Sequence, residues 1–420
     1  MTNRVLLTLV FTLSFMSYMA PDLSTSVQLA PLGLFAALVF FKVIWSDSVL
    51  NAVSSLFELD GLLFVFFVSI LILAPSFASS SDKSLGFSLA IVVCLVLGRI
   101  YMAVVPVIEV LEAFFWSGAI SITLFVPLSL ANFLQSIQTL ERFSPFSFHP
   151  NLLAFLLAGY FCVMVWKFMT GSLWMKIFSG LLGFVCLVII FFASSRGSIL
   201  GVVCGCATAG GLLILRARKE GHLQLRRVAL ACGVLLLGFV LFHQSFAWTE
   251  DLYSYVDKVL AVTDSYRGVD SGFTGRFDKW GATLDVLSGG GWMLGHGIRA
   301  SDSQEQLIDN SYLVLLYEIG LVPLVLITWR FLSISKRFFD AYLLSTERKQ
   351  QIFYLSSLML LVVFLVNNFV ARFLFSIGNA FSLVALLLFL SPASRLVSSS
   401  EPARMGPTRA ADHLRQQLSS

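Results

Sequence analysis

Charged residues are scarce in this sequence. Of its 420 residues, 12% are Asp, Glu, Lys or Arg and 57% are hydrophobic, with 40 phenylalanines. A soluble globular domain carries about 25% charged residues, so the composition excludes a soluble globular enzyme, a disordered protein and a nucleic-acid-binding protein. The apolar runs are long and continuous rather than alternating, which also excludes a transmembrane β-barrel. The sequence therefore predicts an all-α polytopic membrane protein.

A metal-binding pattern is also missing. The six cysteines are Cys94, Cys162, Cys186, Cys204, Cys206 and Cys232, and all lie inside apolar runs. The five histidines do not cluster with them. We interpret the thiols as buried in the protein core or against lipid, and we predict no zinc or haem site.

Long apolar runs recur along the whole chain. A helix that crosses a bilayer needs about 20 mostly apolar residues. We predict twelve spans, at 4–20, 28–45, 61–78, 85–103, 109–131, 152–169, 176–193, 199–215, 227–244, 309–329, 352–369 and 373–391. The first begins at Arg4 without a small-residue cleavage pattern, so we expect a retained helix rather than a signal peptide. An even number of spans places both termini on one side of the membrane.

Basic residues predict which side that is. Clusters of Lys and Arg follow the eighth span in RARKEGHLQLRR, lie in the 330–351 connection and recur in the tail after residue 393. All three share the side of the termini, which the positive-inside rule makes cytoplasmic. The 132–151, 194–198 and 245–308 segments then face the opposite, outer side.

The predicted organisation has four parts. Residues 1–244 hold spans one to nine, 245–308 form an outer loop with short helices, and 309–392 hold spans ten to twelve. The tail, 393–420, is rich in Pro, Ser and Arg and is predicted to be disordered. Within the loop, the apolar residues of RFDKWGATLDVL recur at helical spacing, which predicts a helix on the membrane surface.

Two arginines of the outer face are the leading candidates for function. Arg196 lies in SSRGS between two spans, where small neighbours allow a ligand to approach its guanidinium; snorkelling to lipid head groups is the alternative. Arg276 lies in TGRFDKW at the start of the predicted loop helix, where an arginine opposes the helix dipole. Because a guanidinium offers paired donors that match phosphate oxygens, the pattern favours a diphosphate anchored in lipid.

Polar residues also begin and interrupt the tenth span, in DNSYLVLLYEIGL. Asp309 and Asn310 are typical of a helix N-cap. Glu318 lies inside an apolar run, where a carboxylate is costly and tends to be paired or functional. Further outer-face candidates for substrate binding are Arg142, Asn151, Trp280, His296, Arg299 and Arg372.

In their order and spacing, five segments resemble the O-antigen ligase and polymerase superfamily of bacterial envelope glycosyltransferases. They are ERFSPFSFHPNLLA, SSRGSILG, TGRFDKW, the Gly295–Gly297 turn and DNSYLVLLYEIGLVP, spread over about residues 135–330. The resemblance implies a GT-C-like enzyme of the bacterial inner membrane with cytoplasmic termini. Such an enzyme takes a glycan from undecaprenyl diphosphate at the periplasmic face, with no nucleotide sugar, cofactor or obligatory metal.

The resemblance also implies roles for individual residues. Arg196 and Arg276 would bind the diphosphate and neutralise its charge as the sugar leaves. Ligases of the family generally have His-Asn where this chain has Asp309-Asn310, and that histidine is their proposed base. Asp309 can orient the acceptor hydroxyl and take its proton late, but an aspartate, with an ordinary pKa of about 3.9, is a weak base. We therefore predict a repeat-unit polymerase rather than a ligase that transfers the glycan to lipid A core.

A transporter or flippase is the alternative from another class of protein. Common transporters have two six-span halves with a long central connection, whereas the centre here (170–175) is short and the long loop comes late. The expected partners are the lipid-linked glycan donor, a glycan or lipid A core acceptor, and the bilayer, with no nucleic acid.

Overall fold

The computed structural model is predominantly helical over the residues it describes. Those residues are 2–17, 25–45, 68–75, 82–139, 142–146, 148–219, 272–288, 290, 292–303, 310–374 and 378–392. No strand occurs among them. The ninth predicted span at 227–244, the candidate Asp309 and the 393–420 tail lie outside the described residues.

The fold consists of helices, most of them apolar. Short turns connect consecutive helices wherever the connecting segment is described. The helices are α1 (Thr2–Met16), α2 (Thr25–Trp45), α3 (Asp82–Val104), α4 (Val107–Thr139), α5 (Pro150–Thr170), α6 (Leu173–Phe192), α7 (Arg196–Lys219), α8 (Gly272–Ser288), α9 (Ser311–Ile319), α10 (Leu321–Leu344), α11 (Arg348–Val370) and α12 (Ala380–Leu390). A helical stretch over 68–75 lies within the third predicted span.

Six of the described helices are long and apolar enough to cross a membrane. They are Ser84–Val104, Val107–Ser136, Pro150–Thr170, Leu173–Phe192, Arg196–Lys219 and Arg348–Phe369, and each contains one of the predicted spans or all but its last residues. Shorter apolar helices at Asn3–Met16, Ala30–Lys42 and Ala380–Leu390 overlap the first, second and twelfth predicted spans. These helices make the chain a multi-pass membrane protein, helical in the part that the structure describes.

The tenth span is not the single helix that we predicted over 309–329. A nine-residue helix, α9, ends at Gly320, and the 24-residue helix α10 starts from the same residue. Gly320 has φ +83°, and its amide donates to the carbonyls of Leu315 and Leu316. A left-handed glycine at this position ends an α-helix and turns the chain. Hydropathy does not distinguish such a break from a continuous span, so the prediction was wrong here.

The fifth helix, α5, is the centre of the bundle. Every residue from Leu152 to Met164 is buried, because α4, α6, α7, α11 and α12 all pack around it. Gly159 faces the ring of Phe381 on α12, which leaves no room there for a side chain. A helix that is apolar all round is typical of such a buried position.

The two ends of the bundle differ in their polar residues. At one end, α7 begins beside the end of α11, where Ser198 Oγ lies 2.8 Å from Asn367 Oδ1; we call this the Arg196 end. At the other, Arg216 of α7 donates to the carbonyls of Tyr342 and Ser345, where α10 finishes; we call this the Arg216 end. The candidate residues on described segments all belong to elements at the Arg196 end.

Candidate functional site at the Arg196 end

The loop before α5 is tied to the SSRGS segment by Arg142. Its Nη2 donates to Asn151 Oδ1 at 2.8 Å and to the Ser194 carbonyl at 3.3 Å, and its Nε donates to the Ala193 carbonyl at 3.2 Å. Ser194 has φ +52°, a left-handed conformation in which the chain turns between α6 and α7. Arg142 and Asn151, which the sequence proposed as members of one outer-face group, are therefore in contact, and Arg142 holds the turn that precedes Arg196.

Arg196 is the first residue of α7, and its side chain is half-buried. Two residues on, Ser198 donates to Asn367 of α11 and accepts a 3.2 Å hydrogen bond from Ser195. The helices approach closely here because Gly201 has no side chain; a Cβ at that position would lie 2.5 Å from Asn367 Nδ2. Small residues thus bring the beginning of α7, which carries Arg196, close to the end of α11.

A second set of hydrogen bonds joins the beginning of α9 to the end of α11. Ser311 Oγ lies 2.8 Å from both Asn368 Oδ1 and the Ala371 carbonyl, and it accepts from the amide of Phe373 at 2.9 Å. The Ser311 amide donates to the Ala371 carbonyl at 3.0 Å. These bonds fix the chain that leads from α11 into Arg372.

Asn310 is the N-cap of α9. Its Oδ1 accepts from the amides of Tyr312 and Leu313 at 2.9 and 3.2 Å, and the residue is 3% exposed. This arrangement satisfies amides that a helix start leaves without partners. The side chain is committed to the helix, so the structure gives Asn310 a capping role rather than an open binding position.

Glu318, Ser301 and Arg372 form a buried ionic cluster. Arg372 Nη2 donates to Ser301 Oγ at 2.5 Å and to Glu318 Oε1 at 3.1 Å, and Ser301 Oγ donates to Glu318 Oε1 at 2.5 Å. Glu318 is 4% exposed, and the Arg372 side chain is 23% exposed. A carboxylate at this depth requires an opposite charge and hydrogen bonds, and both are present. The sequence named two of these residues but not Ser301.

The Gly295–Gly297 turn is fastened to the break between α9 and α10. The amides of His296 and Gly297 donate to the carbonyls of Tyr317 and Glu318 at 2.9 and 2.8 Å. A Cβ on Gly295, which has φ +75°, would lie 2.4 Å from the Glu318 carbonyl oxygen. Glycine is therefore needed where the backbone of the turn contacts the backbone at the end of α9, and this accounts for the GHG sequence.

His296 has an open hydrogen-bonding position. Its ring lies 4.6 Å from that of Tyr317, and its buried Nε2 has no hydrogen-bond partner among the described residues. Arg299, with φ +65°, places its guanidinium 4.5 Å from the ring of Phe87 on α3. That contact links the GHG turn to the transmembrane bundle.

The loop helix α8 lies at the same end. Trp280 meets the ring of Phe369 of α11 edge-on at 5.8 Å, and Phe369 is two residues from Asn367, the partner of Ser198. Because of this contact, α8 lies at the end that carries Arg196. Arg276 lies one turn before Trp280 on the same helix. The helix starts at Gly272, which places Arg276 in its second turn rather than at its start.

The polar residues that sequence reasoning missed lie on α7, α9 and α11 and in the short helix Ala300–Ser303. Asn367 and Asn368 are buried and bond to the serines of α7 and α9. Adjacent asparagines in the apolar LVNNFV segment are the signal that was available, because buried amides in a span require partners. Ser198, Ser301 and Ser311 carry no comparable signal, since serine is common in membrane helices.

Neither a metal cluster nor a known relative identifies this site. Among the described residues, no group of three or more His, Cys, Asp or Glu side chains is placed to hold a metal ion. No protein-family model matches the chain, and no curated protein matches it. Any functional assignment therefore depends on the residues themselves.

Proposed function

We propose that this protein is an inner-membrane glycosyltransferase that polymerises undecaprenyl-diphosphate-linked oligosaccharide units at the periplasmic face. The observation that carries the proposal is that α7, which begins with Arg196, and α8, which carries Arg276, both reach the end of α11. A lipid-linked diphosphate presents two adjacent phosphates at the membrane surface, and arginine is the side chain best matched to them. The twelve-span GT-C-like topology, with cytoplasmic termini, is part of this proposal.

Arg196 and Arg276 are assigned to the diphosphate. Arg196 is half-buried at the beginning of a helix, where backbone amides also favour an anion. Arg276 is on α8, the helix that Trp280 docks at the same end. As the sugar leaves, charge accumulates on the diphosphate, and fixed cations stabilise that charge more than the ground state. Holding both substrates at the membrane surface makes the attack effectively intramolecular.

The two carboxylates have different roles in the proposal. Asp309 directly precedes the Asn310 cap of α9, and it orients the acceptor hydroxyl and accepts its proton late. Glu318 is buried against Arg372 and Ser301, so it is a positioning residue that holds the GHG turn and the beginning of α10. This assignment moves Glu318 from substrate contact, as the sequence suggested, to support of the site.

A chain-length assay in cells tests the proposal. Deleting the gene should leave single repeat units on the envelope, and Arg196→Ala should reproduce that phenotype. Lys336→Ala is the matched control, because Lys336 is exposed near the Arg216 end and forms an ion pair with Asp340. Full-length chains accumulating on the carrier lipid in the deletion strain would instead identify a ligase to lipid A core.

A further inference from the structure

The Arg216 end contains a cavity that the proposed function does not use. It has a volume of about 510 Å³ and lies where α5, α7 and α11 reach that end. Volumes of about 300–1,000 Å³ are typical of small-molecule sites. Its wall includes two arginines, Arg216 and Arg348, and no carboxylate among the described residues that line it.

The first arginine is held in place by the end of α10. Arg216 donates from Nη1 to the Tyr342 carbonyl at 2.6 Å and from Nη2 to the Ser345 carbonyl at 2.8 Å. Its guanidinium also lies 5.4 Å from the Tyr342 ring. These two bonds fix the position of the guanidinium beside the cavity.

The second arginine supplies an accessible charge on the facing wall. Arg348 is the first residue of α11, and it is exposed. Gln351, one turn later, donates from Nε2 to the Ser345 carbonyl at 2.9 Å, the same carbonyl that Arg216 contacts. The cavity therefore has one guanidinium held by hydrogen bonds, one exposed guanidinium and an amide, a combination that suits a phosphate group.

The remaining wall is apolar. Met169, Leu213 and Ile352 line it from α5, α7 and α11, which are membrane-spanning helices. Leu213 is 38% exposed, and the last turn of α7 carries Arg216, Arg218 and Lys219. Basic residues at the end of a span, beside apolar side chains that face lipid, are typical of binding sites for anionic phospholipid head groups.

We propose that this cavity binds the phosphodiester head group of an anionic phospholipid, with Arg216 and Arg348 on the phosphate and the apolar wall against the first part of an acyl chain. The apolar wall favours a lipid over a soluble phosphate. This inference does not depend on the glycosyltransferase proposal, because it concerns the opposite end of the bundle.

Native mass spectrometry of the full-length protein in mild detergent tests the site. Phosphatidylglycerol and phosphatidylcholine with the same acyl chains are each titrated into the wild-type protein, into Arg348→Gln and into the control Lys349→Gln. Lys349 is the next residue on α11 and is exposed, but it does not line the cavity. We expect Arg348→Gln to weaken phosphatidylglycerol retention about fivefold and Lys349→Gln to leave it unchanged.

A second variant, the second lipid and a competing anion complete the test. Arg216→Gln should weaken binding at least as much, and a thermal unfolding curve for that variant separates loss of the α10 contact from loss of the site. Equal retention of phosphatidylcholine, or equal losses in Arg348→Gln and Lys349→Gln, would overturn the proposal. Displacement of the lipid by millimolar inorganic phosphate would show a soluble-anion site instead.

Discussion

At the scale of single residues, the Arg196 end is held by a few polar groups that each need a partner. Glu318 is the clearest case, because one carboxylate oxygen accepts from both Ser301 and Arg372. A single glutamate in an apolar stretch predicts a cationic or hydrogen-bonding partner. The sequence had already named Arg372, as a candidate for substrate binding. The serine between them was not predictable, since nothing in the sequence connects 301 to 318.

Breaking this cluster should destabilise the protein. Removing one member of a buried ion pair leaves an uncompensated charge, which costs about 3 kcal/mol. We expect Glu318→Ala to lower the free energy of unfolding by this amount and Glu318→Ala/Arg372→Met to recover part of it. Denaturant unfolding in detergent measures both. Additive losses in the double variant would contradict the pairing.

The glycines at the break between α9 and α10 make a sharper prediction. A Cβ on Gly320 would lie 2.2 Å from the Met293 carbonyl oxygen, and the backbone there has φ +83°. Left-handed strain alone costs about 1–2 kcal/mol, and the clash adds to it. We expect Gly320→Ala to lower the melting temperature substantially.

Gly281→Ala is the matched control for that measurement. Gly281 lies inside α8 with nothing within 4 Å of an added Cβ, so alanine should stabilise the helix by about 0.5–1 kcal/mol. If both variants changed the melting temperature in the same direction, the backbone contact between Met293 and Gly320 would be in doubt.

At the scale of elements, hydrophobic periodicity and run length predicted most helices but not their breaks. The spans at 152–169 and 199–215 lie within α5 and α7, because a continuous apolar run allows few other structures in a bilayer. The run at 309–329 is also long and mostly apolar, yet it divides at Gly320. The division depends on a tertiary contact with the GHG turn, which the local sequence does not encode.

The packing of α7 on α11 gives an element-scale prediction. Gly201 and Gly205 of α7 face Asn367 and Val363 of α11, and an added Cβ would meet them at 2.5–2.6 Å. Overpacking at such a contact costs about 1–3 kcal/mol. We expect Gly201→Ala to destabilise the protein, whereas Gly210→Ala on the same helix, with open space around its Cβ position, should not. Thermal unfolding in detergent compares the two.

At the scale of the whole molecule, the two ends of the bundle predict its orientation in the membrane. Most of the arginines at the Arg216 end come from connections that the positive-inside rule places in the cytoplasm. Polar residues from five separate segments converge on the Arg196 end, the arrangement expected where a substrate arrives. Net composition identified the membrane class, but only tertiary structure shows which segments meet at each end.

Cysteine labelling at the positions of two exposed tryptophans, one at each end of the bundle, tests that orientation. Trp292 lies beside Gly320 at the Arg196 end, and Trp174 begins α6 at the other; both are exposed. In a cysteine-free background, Trp292→Cys should react with a membrane-impermeant maleimide supplied from the periplasm. Trp174→Cys should react only after the inner membrane is permeabilised, and the reverse pattern would invert the topology.

We propose that arginines at the Arg196 end bind a prenyl diphosphate, and a binding measurement on the purified protein tests this. With undecaprenyl diphosphate as the ligand, we predict that Arg196→Ala weakens binding at least about tenfold, while Lys336→Ala and Arg348→Gln bind as the wild type does. Unfolding curves for the same samples establish that each variant is folded. Wild-type affinity in a folded Arg196→Ala variant would contradict the claim.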